Sequence, residues 1–280
     1  MAQRLTGTPA DRPIRVVFFG GSFLEYSAQR FLSLIMEHPE VELVGGVCQS
    51  AGFGLAARIR ETTRRRGIMA PVSLATHLIG AVIPLLHEPR RSLAVRRNVR
   101  RAAARFLIVP DIHAPAVLQH VRELEPDLGV IYGSPVLRPE LFDIPRFGTL
   151  GIHHGTLPRY RGKKTTFWEV FNDEPVAGVT IQRVNTGLDA GEVVMQGEVP
   201  VGGRSVWSVE RDVHDLGICL YMDAILAVHR GTAVTRPQSS VGRVPPYHDP
   251  HPLDLLRLGG RRIARAFGAH PKPRPPGKTS

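Results

Sequence analysis

Four short β-branched or aromatic runs, each closed by a glycine, a proline or a polar residue, constrain this chain more than any other feature. They are IRVVFFGG (14–21), VELVGGVCQ (41–49), FLIVP (106–110) and DLGVIYG (127–133). Between the first two lies SFLEYSAQRFLSLIMEHPE, in which Phe23, Tyr26, Phe31, Leu34 and Ile35 recur at helical spacing. Between the last two lies the helix-like APAVLQHVRELEP. Strands separated by helices return in the same direction, so the pattern predicts an α/β fold with a mostly parallel sheet flanked by helices. The glycines of FFGGS do not complete G-x-G-x-x-G, and no dinucleotide site is read from them.

After residue 147 the spacing predicts a strand running into a loop (GTLGIHH), a helix (TTFWEVFND), and two strands (AGVTIQRV, EVVMQGEVPV) joined by a glycine-containing turn. A helix over roughly 205–230 follows. The expected organisation is a catalytic domain over 14–230, an arginine-rich helical insertion at 55–105, and a basic, proline-rich tail over 231–280. Within that tail, LDLLRLGGRRIARAF has the spacing of a short amphipathic helix.

The formal charge of +11 is concentrated in two places. Residues 55–105 hold twelve arginines against Glu61 and Glu88, and residues 230–280 hold ten lysines or arginines against Asp249 and Asp254. The rest of the chain is acidic. Two basic segments on an acidic body can dock on an anionic surface, or they can be solvated helix faces. Residues 67–87 carry no Asp, Glu, Lys or Arg and are flanked by arginines on both sides. Pro71, Pro84, His77, Ser73 and Thr76 weaken a membrane span, leaving packing within the protein or a helix on an anionic membrane interface. Cys48 and Cys219 sit in apolar runs and suit reduced, packed thiols; with no secretory leader, the expected location is cytoplasmic, peripheral to the inner membrane face if 67–87 docks there.

The chemistry concentrates in GIHHGTLPRYRG (151–162) and NTGLDAGEVV (185–194). His153 leaves a predicted strand, at the end of the sheet where open α/β folds bind ligands. Asp189 lies between Gly187 and Gly191 on a turn, where glycines allow close backbone approach. A histidine at a strand end and a carboxylate on a turn make an acid/base pair, or a hydrogen-bonded structural one. No metal-ligand spacing is present. Lys163, Lys164 and Trp168 are read as structural.

The whole run GIHHGTLPRYRGKKTTFWEVFNDEPVAGVTIQRVNTGLDAGEVVMQ resembles the folate-dependent formyltransferases, which read N-x-H-x-x-x-L-P-x-x-R-G, a helix, then G-V-T and G-x-D-x-G. The resemblance extends over roughly 14–230, apart from 55–105. It implies a Rossmann-like α/β fold, 10-formyltetrahydrofolate as donor and an amine as acceptor. By resemblance His153 is the catalytic histidine and Asp189 the aspartate. The pterin is expected against backbone groups of Gly133, Ser134, Val136 and Leu137 and of Gly187 and Leu188.

Where the family has asparagine, this chain has Gly151. Losing one oxyanion donor of that kind costs about 10²–10³ in rate. His154, Thr156 or a water could replace the donor, the acceptor could tolerate its loss, or the chemistry could have changed. Retention of both His153 and Asp189 favours retained chemistry. Arg159 and Arg161 are candidates to hold an acidic acceptor or to brace the loop. Methionyl-tRNA formyltransferases carry a further C-terminal domain that grips tRNA, whereas about fifty residues follow the last predicted core helix here. With aromatic platforms scarce, nucleic acid is not the expected partner. The expectation is a small-molecule amine, such as an amino sugar of polysaccharide or specialised metabolism.

Overall fold

The computed structural model describes residues 3–4, 12–20, 26–49, 89–133, 135–239, 245–266 and 276. They fall into two compact units, Thr8–Thr149 and Met1–Gly7 with Leu150–Ser280. The uncharged stretch 67–87 and most of the 55–105 insertion lie outside the described residues. Among the described residues, no helix is long and apolar enough to cross a membrane.

The N-terminal unit is built on parallel strands. β2 (Ile14–Gly20) pairs in parallel with β3 (Val41–Gln49) and with β5 (Leu128–Tyr132), and β3 pairs in parallel with β4 (Phe106–Val109). Nearly every residue of β2 is buried, as expected of a strand covered on both faces. Helix α1 (Tyr26–Glu37) buries Ala28, Phe31, Leu32 and Ile35. The apolar face is thus turned slightly from the expected one, since Tyr26 and Leu34 stay half-buried. Helix α2 (Pro89–Ala103) is the described part of the arginine-rich segment. It packs on α1 through buried Val95 and Ala102 and through Asn98, whose amide donates to Ser33 and Glu37. Arg96, Arg97, Arg100 and Arg101 face outward. Helices α3 (Pro115–Glu123) and α4 (Pro139–Phe142) complete the unit. Asp127 locks its lower edge, accepting two bonds from the Arg12 guanidinium at 2.7 and 2.8 Å and the Arg15 N–H at 2.9 Å.

The C-terminal unit is antiparallel. β6 (Thr149–His153) pairs with β7 (Val176–Arg183), and β7 pairs with β8 (Val193–Pro200). Helix α5 (Thr165–Phe171) is buried over its whole length. Helix α6 (Val206–His229) is capped by Ser205, which accepts from the Ser208 N–H. It lies close on the sheet because Gly217 meets Ile152 and Val179 there, and Tyr221 donates to the Leu150 carbonyl at 2.6 Å.

The described part of 231–280 is not a loose tail. β9 (Val234–Thr235) pairs with β1 (Gln3–Arg4), Tyr247 is buried, and helix α7 (Pro252–Ala266) buries Leu258 and pairs Arg265 with Asp173. The compact division falls at 149/150, so an expected boundary at residue 230 does not separate a unit. The physical reason is aromatic: Tyr247 stacks on Tyr160 and Trp168, with ring centroids at 5.1 and 5.4 Å.

Candidate active site

His153 ends β6. Strand alternation puts it on the same face as Gly151, and its ring is buried. Nε2 stands 2.7 Å from the Tyr160 carbonyl oxygen, and Nδ1 stands 3.4 Å from Asp189 Oδ1. Both partners are acceptors. A neutral imidazole carries one N–H and satisfies one of them, whereas the imidazolium satisfies both. Burial alone would push the His153 pKa down. The close Asp189 carboxylate, the Tyr160 carbonyl and the charge of Glu169 outweigh it, and the net direction is up.

Asp189 is carried by the connection between β7 and β8 at φ 48°, the left-handed region that few non-glycine residues occupy. Its Oδ2 accepts the Gly162 N–H at 2.9 Å. The loop is shaped by its own bonds: Gly187 N–H to Asn185 Oδ1 at 2.9 Å and Asn185 Nδ2 to the Ala190 carbonyl at 3.0 Å. Gly191 is required, because a Cβ there would stand 1.6 Å from the Arg183 carbonyl oxygen. Burial would raise the Asp189 carboxyl pKa. The close His153 ring, the Gly162 N–H and the Arg161 charge overcome this and hold it below the ordinary value. At 3.4 Å the contact is an ion pair, longer than an ordinary hydrogen bond.

The other expected residues fall as follows. The His154 ring packs against His214 of α6 with centroids at 4.0 Å, and it follows Ile152 onto the α6 face of the strand. Burial, then the charges of His214, His153 and Lys164, push its pKa well below the ordinary value. A neutral ring held on α6 is not placed as an oxyanion donor beside His153, because the chain continues the strand alternation through residue 154. Arg161 is turned inward and donates to the Leu188 carbonyl, bracing the Asp189 loop. Arg159 is the more exposed arginine, paired with Glu174 at 3.0 Å. Gly187 and the exposed Leu188 lie on the Asp189 loop. In the N-terminal unit, Gly133 follows β5 at φ 61°, Val136 is exposed, Leu137 is buried, and Ser134 lies outside the described residues.

One residue was not anticipated. Glu169 of α5 is fully buried, and its Oε1 accepts the Thr156 N–H at 2.9 Å, the Thr156 hydroxyl at 2.8 Å and the Gly178 N–H at 3.2 Å. Burial raises its pKa to about 7 against these donors and the charge of His153. The available signal was a lone acid inside the apolar TTFWEVF.

A Rossmann-like α/β fold thus carries a buried histidine–aspartate pair at a strand end, an arrangement whose two groups can exchange protons. Residues 91–225 match the model of a domain family described as formyl transferase. Enzymes with this domain transfer one-carbon groups and use 10-formyltetrahydrofolate as formyl donor. A methionyl-tRNA formyltransferase of Acetivibrio thermocellus is 28% identical over 163 residues, which is 58% of this chain and 48% of that protein. The chain spans about half the length of the curated relatives it matches. Among solved structures, glycinamide ribonucleotide transformylase 1 from Symbiobacterium toebii matches with TM-score 0.54 at 20% identity, over 78% of this chain and 89% of that one. A 4-N formyltransferase from Francisella tularensis matches with TM-score 0.52 at 15% identity, over 82% and 74%. These neighbours share the fold.

Proposed function

We propose that this protein is an N-formyltransferase that moves a formyl group from 10-formyltetrahydrofolate to the primary amine of a small molecule, an amino sugar being the favoured class. The observation that carries the reading is His153 held between the Tyr160 carbonyl and Asp189 within the stretch that matches the formyl transferase family. In the transfer, the amine nitrogen bonds to the formyl carbon, the bond from that carbon to folate N10 breaks, the amine loses a proton and N10 gains one. His153, whose protonated form its two acceptors favour, offers positive charge to the oxyanion and a proton to the leaving nitrogen in that form. Asp189, held as carboxylate, accepts one. The pterin of the donor is assigned to the loop that carries Asp189, at Gly187 and the exposed Leu188. Arg159 is assigned to an acidic group of the acceptor, such as the phosphates of a nucleotide-linked sugar.

The test incubates the protein with 10-formyltetrahydrofolate and a panel of amines, nucleotide-linked amino sugars included, and follows release of tetrahydrofolate. Release that depends on an amine supports the reading. Gly151 favours a second reading, a chemically diverged member that binds the donor without transferring its formyl group, and donor binding without release for any amine would decide for it. We place the protein in the cytoplasm, supported by the free thiols Cys48 and Cys219, although Cys219 is exposed on α6 and not packed as its apolar run suggested. The outward arginines of α2 are proposed as the described part of a contact to an anionic membrane surface.

A further inference from the structure

The segment Pro246–Asp249 lies beyond the residues that match the formyl transferase family. It nonetheless touches both anchors of the His153–Asp189 pair. The Tyr247 N–H donates to the Arg161 carbonyl at 2.7 Å, and the Tyr247 carbonyl accepts the Lys163 N–H at 2.9 Å. Those two bonds straddle Gly162 as a parallel bridge. Peptides alternate along an extended chain, so the bridge leaves the Gly162 N–H pointing the other way, into Asp189 Oδ2. Gly162 has φ 99°, and a Cβ on it would stand 2.3 Å from the Tyr247 carbonyl oxygen, so the close approach of the strap excludes any side chain there.

The Tyr247 ring serves the other anchor. It stacks on Tyr160 at an interplanar angle of 6°, and Asn172 bridges the two hydroxyls at 3.1 and 3.2 Å. Tyr160 is the residue whose carbonyl holds His153 Nε2. The strap is fixed from the far side by the Trp168 indole, which donates to the His248 carbonyl at 2.9 Å.

We propose that Tyr247 is a positioning residue, and that the segment it carries is a strap that sets both the carbonyl facing His153 and the N–H facing Asp189. The inference rests on the formyltransferase reading for its consequence in catalysis, and on geometry alone for its effect on the histidine. The titratable and charged groups around His153 are Asp189, Glu169, His154 and, through Asp189, Arg161. Tyr247→Ala removes the stack and frees the strap, loosening both acceptors that favour the imidazolium.

The experiment follows the His153 ring resonances against pH in the full-length protein, for wild type, Tyr247→Ala, Tyr247→Phe and Leu258→Ala. Leu258 is buried on α7 in the same unit and serves as a control for general loosening. The expected result is a fall of about 1 pH unit in the His153 midpoint for Tyr247→Ala. Tyr247→Phe, which keeps the stack and the backbone bridge, restores it, and Leu258→Ala leaves it in place. An unchanged midpoint in Tyr247→Ala, or an equal fall in Leu258→Ala, overturns the proposal. Should Tyr247→Ala be recovered unfolded, Tyr247→Leu carries the same comparison, because it fills the space without an aromatic face. These titrations need no substrate, so a wild-type protein that transfers no formyl group would sink the reading of function and leave the strap standing. Where transfer is measured, Tyr247→Ala lowers kcat more than it raises KM for 10-formyltetrahydrofolate; the reverse pattern counts against positioning.

Discussion

Glu169 Oε1 accepts both the backbone N–H and the hydroxyl of Thr156, so a single buried carboxylate on α5 fixes the loop that begins two residues after His153. Burial lifts this carboxyl from its ordinary 4.5 to about 7. Between those values the folded chain binds a proton that the unfolded chain has released. The contribution is therefore complete below 4.5 and lost as pH rises through about 7. His153, raised above 6.5, loses its contribution only at higher pH, and Asp189 and Asp127, held below 3.8, lose theirs only at lower pH. Urea unfolding at about pH 5 and about pH 6.5 should show a decline on the order of 2 kcal/mol from this group in wild type, and a flat response in Glu169→Gln. Equal declines in the two proteins would refute the assignment.

On the proposed function, the His153–Asp189 pair should set the pH dependence of turnover. Both charges coexist from below 3.8 to above 6.5, so kcat/KM should hold up to pH 6.5 and fall on the alkaline side of it as the imidazolium is lost. His153→Ala should lower kcat by about 10²–10⁴ and remove that alkaline limb. Asp189→Asn should lower kcat similarly and move the limb to lower pH, because the charge that holds the imidazolium is gone. A limb that stays in place in Asp189→Asn would separate the two residues.

Gly151 shares the His153 face of β6, and a Cβ there would rest 3.4 Å from Val184 Cγ2. That is close to ordinary contact, so Gly151→Asn should fold with stability within about 1 kcal/mol of wild type. A side-chain amide at this position should raise the rate of formyl transfer by about 10²–10³ if the site lacks an oxyanion donor. Single-turnover kinetics with 10-formyltetrahydrofolate measures the gain. No gain means that the donor is supplied elsewhere in the site.

The loop that carries Asp189 depends on Gly191. A methyl group at 1.6 Å from the Arg183 carbonyl oxygen cannot be absorbed by a side-chain rotation, since the obstruction is backbone. Gly191→Ala should cost about 3 kcal/mol or more and disrupt the pairing of β7 with β8. Denaturant unfolding with amide exchange at Arg183 and Val193 would register it, and a fully stable variant would contradict the close approach.

The strands were legible because hydrophobic periodicity and glycine stops are local. IRVVFFGG became β2, VELVGGVCQ became β3, and AGVTIQRV and EVVMQGEVPV became β7 and β8. The placement of Asp189 on the β7–β8 turn was legible for the same reason. The face of α1 was read slightly out of rotation, because half-buried positions such as Tyr26 and Leu34 look identical to core positions in sequence. His154 could not be placed without α6, whose His214 and Gly217 lie more than fifty residues away.

By itself the amino-acid sequence determined which segments are strands and helices and that an imidazole and a carboxylate stand at a strand end and a glycine turn, since these depend on neighbours a few residues apart. Only the tertiary structure decided the surroundings of that histidine, because both acceptors that flank it, and the Glu169 and Tyr247 contacts behind them, are made between chain segments whose proximity no local pattern encodes. A proline-rich stretch reads as tail until an aromatic ring within it finds two others to stack on.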